Sequence, residues 1–138
     1  MEIVDPHFGR TALAYAIVKE ETDKALELLE ACDDVNQADR RGYAYLHFAA
    51  QMELPEVTAA LLQRGAEPDA RTATGGTPLR MAVARSRAYP PERALAVVRV
   101  LLAYGADPGD TVNGVSVREL AGQTGMPELA ALLAAGEE

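Results

Sequence analysis

Apolar residues return along this chain in short bursts at helical spacing, separated by polar turns that carry glycine. Leu79, Ala82 and Val83 stand at i, i+3 and i+4, which places them on one side of a helix, and Leu13, Ala16 and Ile17 show the same spacing nearer the start. Ahead of the Leu79 burst, Thr77 stands where a side-chain oxygen can accept from the free amides of a helix start. Pro78 follows at the position where a missing N–H costs nothing, so a helix is predicted from Pro78. A companion helix is predicted to end at Tyr104, because Gly105 behind it supplies the left-handed residue that terminates helices. Similar companions are predicted over Ala25 to Glu30, from Pro55 through Leu62, and from Pro127 to Ala135. Helices this short are not stable alone, so the pairs must bury their apolar faces against one another.

The bursts have a period. Gly75-Gly76-Thr77-Pro78-Leu79 lies 33 residues after Gly42, with Leu46-His47-Phe48-Ala49-Ala50 behind it, and Gly42 lies 33 after Gly9, with Thr11-Ala12-Leu13-Ala14-Tyr15-Ala16 behind it. A closing motif repeats as well: Cys32-Asp33-Asp34-Val35-Asn36, Gly65-Ala66-Glu67-Pro68-Asp69 and Gly105-Ala106-Asp107-Pro108, followed by a divergent copy running from Gly114 through Leu120-Ala121 and Gly125 to Leu133. In these residues the chain resembles the ankyrin repeat family, over roughly residues 5 to 135. The resemblance implies an all-α solenoid of about four helix-turn-helix repeats with β-hairpin finger loops, forming one domain over 1–138. The repeats fall at about 5–37, 38–70, 71–109 and 110–135, residues 1–5 are a lead-in, and 36–42 is expected to form the first hairpin finger.

Three departures from the family pattern carry physical consequences. Repeat 2 has Ala44-Tyr45 where Thr-Pro is usual, and a lost cap weakens a helix start by about 1 kcal/mol. His47 keeps the position that in relatives is a structural hydrogen-bonding residue. Repeat 3 is longer: Leu79 to Gly105 spans 26 residues against 19 for Leu46 to Gly65, and the extra residues lie near 84–93, where Pro90-Pro91 stops one helix and starts another. This insertion is either a tolerated surface loop or an added partner contact at the edge opposite the fingers. Repeat 4 carries Arg118 in place of the signature leucine and ends in an alanine-rich helix. That helix is read as a plain cap on a monomer and is also the place where weak self-association would arise.

Charge and composition narrow the function. The net charge of −8 is unevenly spread: residues 1–39 carry ten acids and three bases, 40–99 five acids and nine arginines, and 100–138 six acids and one arginine. A basic middle between acidic ends argues against general nucleic-acid binding and suits an acidic patch on a protein partner. No apolar run reaches the roughly 18 residues of a membrane span, and the start lacks a basic leader, so a cytoplasmic protein without membrane attachment is expected. The single Cys32 fits a reducing compartment, and two lysines against eleven arginines hint at a bacterial source. No phosphate-cradling loop, nucleophile elbow or paired-carboxylate site stands out, and His7, His47 and Cys32 lack metal-ligand spacing. No catalytic residue, cofactor or metal is therefore expected.

The resemblance implies a rigid face built from finger tips and the solvent side of each first helix. Carried over position by position, it offers Arg10 and Lys19 in repeat 1, then Arg40, Arg41, Tyr43, Gln51 and Met52 in repeat 2, then Ala73, Thr74, Gly76 and Arg85 in repeat 3. Repeat 2 is favoured, because arginine and tyrosine are enriched at interface hot spots and methionine adapts to apolar partners. The plain reading of Arg40 and Arg41 as solvated loop residues stands beside it. The expected function is a non-enzymatic module that binds a protein partner of unknown identity. A narrower version is an immunity or inhibitor protein that covers the active site of a toxin or enzyme. The opposing class, an enzyme or small-ligand binder, would need a closed pocket with perturbed titratable groups.

Overall fold

The computed structural model describes residues 2–85 and 91–134, so residues 86–90 of the expected insertion, together with the side chain of Arg85, lie outside the described residues. Eight helices are found among the described residues: α1 (Ala12–Val18), α2 (Thr22–Glu30), α3 (Tyr45–Gln51), α4 (Pro55–Gln63), α5 (Pro78–Arg85), α6 (Glu92–Ala103), α7 (Val117–Gln123) and α8 (Pro127–Ala134). They form two rows, with α1, α3, α5 and α7 packed in succession on one side and α2, α4, α6 and α8 on the other. Leu13, Ile17, Leu46, Leu79, Val83 and Val117 from the first row meet Leu29, Val57, Leu61, Val97, Leu101, Leu129 and Leu133 from the second, all essentially without solvent exposure. Because each helix is seven to twelve residues long, nearly all its stabilisation comes from this packing between neighbours.

Short antiparallel hairpins project from one end of the rows. The first is β1 (Ile3–Asp5) with β2 (Arg10–Thr11), pairing Ile3 with Thr11 and Asp5 with Arg10. This corrects the expectation of a lead-in: β-branched Ile3 and Val4 pair with the segment entering α1, and the finger at 36–42 is the second in the chain, held by a single bridge between Ala38 and Ala44. The last hairpin joins β3 (Thr111–Val112) to β4 (Val115–Ser116) through Asn113-Gly114, both at positive φ as a tight two-residue turn requires. Arg80 from α5 donates to the Val115 carbonyl, and Arg71 pairs with Asp110, fixing that hairpin to the preceding repeat. Neighbouring fingers are also joined through their backbones: the Arg40 amide donates to the Phe8 carbonyl at 2.9 Å and the Ala73 amide to the Arg41 carbonyl at 2.9 Å.

Side-chain caps open three of the four first-row helices, the expected Thr77 among them. Thr11 accepts from the Ala14 amide at 3.3 Å, Thr77 from Arg80 at 3.3 Å, and Ser116 from Glu119 at 3.1 Å. Ala44 has no oxygen to offer α3, and its own amide is taken instead by His47 Nδ1 at 3.0 Å. The other ring nitrogen, Nε2, faces the carbonyls of Ala70 at 2.8 Å and Gly76 at 3.0 Å, so it carries the hydrogen and the imidazole is neutral. Burial holds the His47 pKa below its ordinary value of 6.5, against a weaker opposing pull from the two carbonyls and Asp39. The imidazole thus closes the start of one helix and ties it to the finger of the next pair. Tyr45, which stands where proline is usual, is buried and exchanges a 2.9 Å hydrogen bond with Thr11, the cap of α1.

Arg93, at the end of the expected insertion, is committed within the molecule. Its Nε donates to the Glu53 carbonyl at 2.9 Å, and its Nη2 to the Met52 carbonyl at 3.0 Å and the Glu20 carboxylate at 3.0 Å. Glu20 and Glu53 occupy equivalent left-handed positions, φ 58° and 56°, in the turns joining α1 to α2 and α3 to α4. One side chain from the third pair therefore bridges the turns of the first two. The groups are half exposed, so the carboxylate contact adds little by itself, and the bonds to the carbonyls account for the alignment.

Candidate protein-binding face

The second finger and the end of α3 bring five of the expected contact residues to one place. Arg40 and Arg41 are exposed at the finger tip. Behind them Asp39 forms a rigid base: its Oδ1 accepts from the amides of Arg41 at 2.9 Å and Tyr43 at 3.0 Å, and its Oδ2 pairs with Arg10 Nε at 3.4 Å while its side chain is only 3% exposed. Tyr43, half-buried, stacks on Phe48 with ring centres 5.3 Å apart, which fixes its orientation without covering it. Gln51 ends α3 and Met52 follows as its C-cap. Arg10, Val18, Arg41, Tyr43, Phe48, Gln51 and Met52 line a concavity of about 150 Å³, with Arg40 outside its lining.

Other expected positions are placed differently. Arg10 is mostly covered, not free: its guanidinium lies 4.7 Å from the Phe8 ring centre and 5.2 Å from that of Phe48, besides its pairing with Asp39. Gly76 is buried, because its carbonyl turns inward to His47, so it cannot contact a partner. Ala73 and Thr74 are exposed on the third finger, linked to the second by the Ala73 amide but outside the concavity. Lys19 is exposed at the end of α1. Arg85 belongs to α5, and its side chain lies outside the described residues.

Sequence reasoning missed Phe48 and Val18 as wall residues. Phe48 was legible, since it precedes Gln51 and Met52 by three and four residues and so shares their side of the helix. Val18 had no comparable signal, because only the packing of α1 on α3 brings it there.

The face contains no catalytic constellation. Among the described residues, four side chains have displaced pKa values: Asp5 is lowered chiefly by the hydrogen bond from Tyr15, Tyr15 is raised by that same bond, Tyr45 is raised by burial, and His47 is lowered by burial. Each is explained by a structural contact, and the His47 ring is already bonded to three backbone groups. Among the described residues no group of three or more His, Cys, Asp and Glu is placed to hold a metal ion, and no helix is long and apolar enough to cross a membrane.

Paired helices in two rows with hairpins beside them define a helical repeat protein. The family model described as ankyrin repeats (3 copies) matches residues 1–72, more than half of the 138, and the chain belongs to the ankyrin repeat family. Similar curated proteins include the rice BTB/POZ domain and ankyrin repeat-containing protein NPR5, 43% identical over 49% of this chain, and chicken inversin, 38% identical over 56%. Human BCL-6 corepressor-like protein 1 is 31% identical over 86% of the chain. The chain spans only 14%, 7% and 6% of these relatives' own lengths, respectively. Ankyrin repeats are in general non-enzymatic modules for protein–protein interaction.

Proposed function

We propose that this protein binds a protein partner through the face formed by the second finger and the end of α3, with Arg40, Arg41, Tyr43, Gln51 and Met52 at its centre and Ala73 and Thr74 at its edge. The observation that carries the reading is the fixed base beneath the finger: Asp39 uses both oxygens to hold Arg10 and two finger amides, while Arg40, Arg41 and one side of Tyr43 face solvent. A surface ordered beforehand loses little conformational entropy on association. A reducing cytoplasm and a bacterial source, suggested by the lone Cys32 and the excess of arginine over lysine, belong to the same proposal.

The test is a pull-down from the lysate of the source organism, comparing the wild-type chain with Arg40→Glu/Arg41→Glu/Tyr43→Ala after circular dichroism has shown equal helix content. These side chains make no fold-determining hydrogen bonds, since the finger is held through its backbone. Loss of a hot spot worth about 2 kcal/mol or more corresponds to roughly 30-fold weaker binding, so the partner should disappear from the variant's eluate. Equal recovery by both proteins would remove this face from consideration.

A further inference from the structure

We infer that the concavity between the first two helix pairs receives an extended acidic peptide segment carrying one aliphatic side chain, an inference that rests on the binding face proposed above. Size supplies the first argument. At about 150 Å³ the concavity is below the roughly 300 Å³ at which small-molecule pockets begin, yet Val18, Tyr43, Phe48 and Met52 give it apolar walls suited to a single side chain. The second is an amide without a partner: Gln51 Oε1 is buried at this site and accepts no hydrogen bond. A buried polar atom left unpaired is costly, and a rotation of the Gln51 side-chain amide toward the concavity would let it accept from a backbone amide of an extended peptide running over α3.

Charge supplies the third. Arg10, Arg71 and Arg93 each have a carboxylate partner, whereas Arg40 and Arg41 form no ion pair among the described residues. Asp39 is the acid nearest to them in the finger, and it cannot neutralise them, because its side chain is buried and both its oxygens are already bonded. Glu20, across the first pair, is engaged by Arg93. Arg41 at the wall of the partly apolar socket, with the exposed Arg40 next to it in the finger, attracts carboxylates flanking an aliphatic residue, and the +4 balance of residues 40–99 extends that attraction along the neighbouring repeat.

The experiment pans the full chain against a display library of random dodecapeptides and measures the affinity of synthesised winners by fluorescence anisotropy at low and physiological salt. The winners should be rich in Asp and Glu around one Leu, Ile or Val, and should bind more weakly as salt rises. Arg41→Glu and Met52→Ala, each checked for unchanged helix content, should weaken them about tenfold or more. Neutral or basic winners that still depend on Arg41 and Met52 would overturn the acidic peptide and leave the binding face standing. Winners indifferent to both variants, or no winners at all, would overturn the peptide and count against the face. Displacement of the peptides by a single-stranded oligonucleotide would overturn a peptide-selective site.

Discussion

Replacing His47 with alanine should lower the unfolding free energy by about 3 kcal/mol, one of the largest losses available to a single substitution here. The imidazole is completely buried and holds the Ala44 amide and the Ala70 and Gly76 carbonyls, so its removal leaves a cavity and takes the partner from the Ala44 amide and the Ala70 carbonyl, while the Gly76 carbonyl keeps the Thr72 amide. For a chain of this size the melting temperature should fall by roughly 10 °C, measured by circular dichroism or calorimetry. The pH dependence gives an independent readout. Because the folded-state pKa is depressed, between that value and 6.5 the unfolded chain binds a proton that the folded chain does not. Stability is therefore fully present above 6.5 and is lost progressively as pH falls below it, down to the folded value. Asp5, held below 3.8, acts with the same sign at lower pH. Subtracting the His47→Ala profile from the wild-type profile should isolate the histidine's part, and superimposable profiles would contradict a neutral, buried imidazole.

Gly42→Ala should cost a comparable amount, about 2–4 kcal/mol, through a different mechanism. Gly42 has φ +79°, and a Cβ there would lie 2.9 Å from the Ala73 amide nitrogen and 3.2 Å from two backbone atoms of Thr72. The substitution therefore adds left-handed strain of roughly 1–2 kcal/mol to a backbone clash that must push the second and third fingers apart. Gly65→Ala is the control: its φ is +94°, but nothing lies within 4 Å of the added carbon, so only the strain remains. Urea denaturation of the two variants should place Gly42→Ala below Gly65→Ala. Equal midpoints would mean that the fingers do not press on one another.

Much of this architecture could be read before the structure. The burst Leu79, Ala82, Val83 is fully buried, α5 begins at Pro78, and α6 stops at Ala103 with Tyr104 as its cap, because these features depend on local spacing and on chain termination chemistry. Features that depend on contact between repeats were hidden. The pairing of Ile3 with Thr11 crosses a turn with no strong hairpin signature, and the reach of Arg93 to Glu20 spans 73 residues of sequence. Asn113-Gly114 between β-branched neighbours was a readable hairpin signal that the repeat pattern obscured. At the candidate face, the exposure of Arg40 and Arg41 followed from finger position alone. The covering of Arg10 required Phe8, Asp39 and Phe48 to converge from three segments, which no spacing rule encodes.

The most direct measurement of the binding face is site-specific photo-crosslinking in living cells, with a benzophenone amino acid placed at Met52 in one strain and at Ala131, exposed on α8, in another. A face that receives a protein partner should give a covalent adduct of defined mass from Met52 that contains a second, different polypeptide, while Ala131 yields uncrosslinked chain. Adducts arising from Ala131 and not from Met52, or a Met52 adduct made of two copies of this chain, would contradict it.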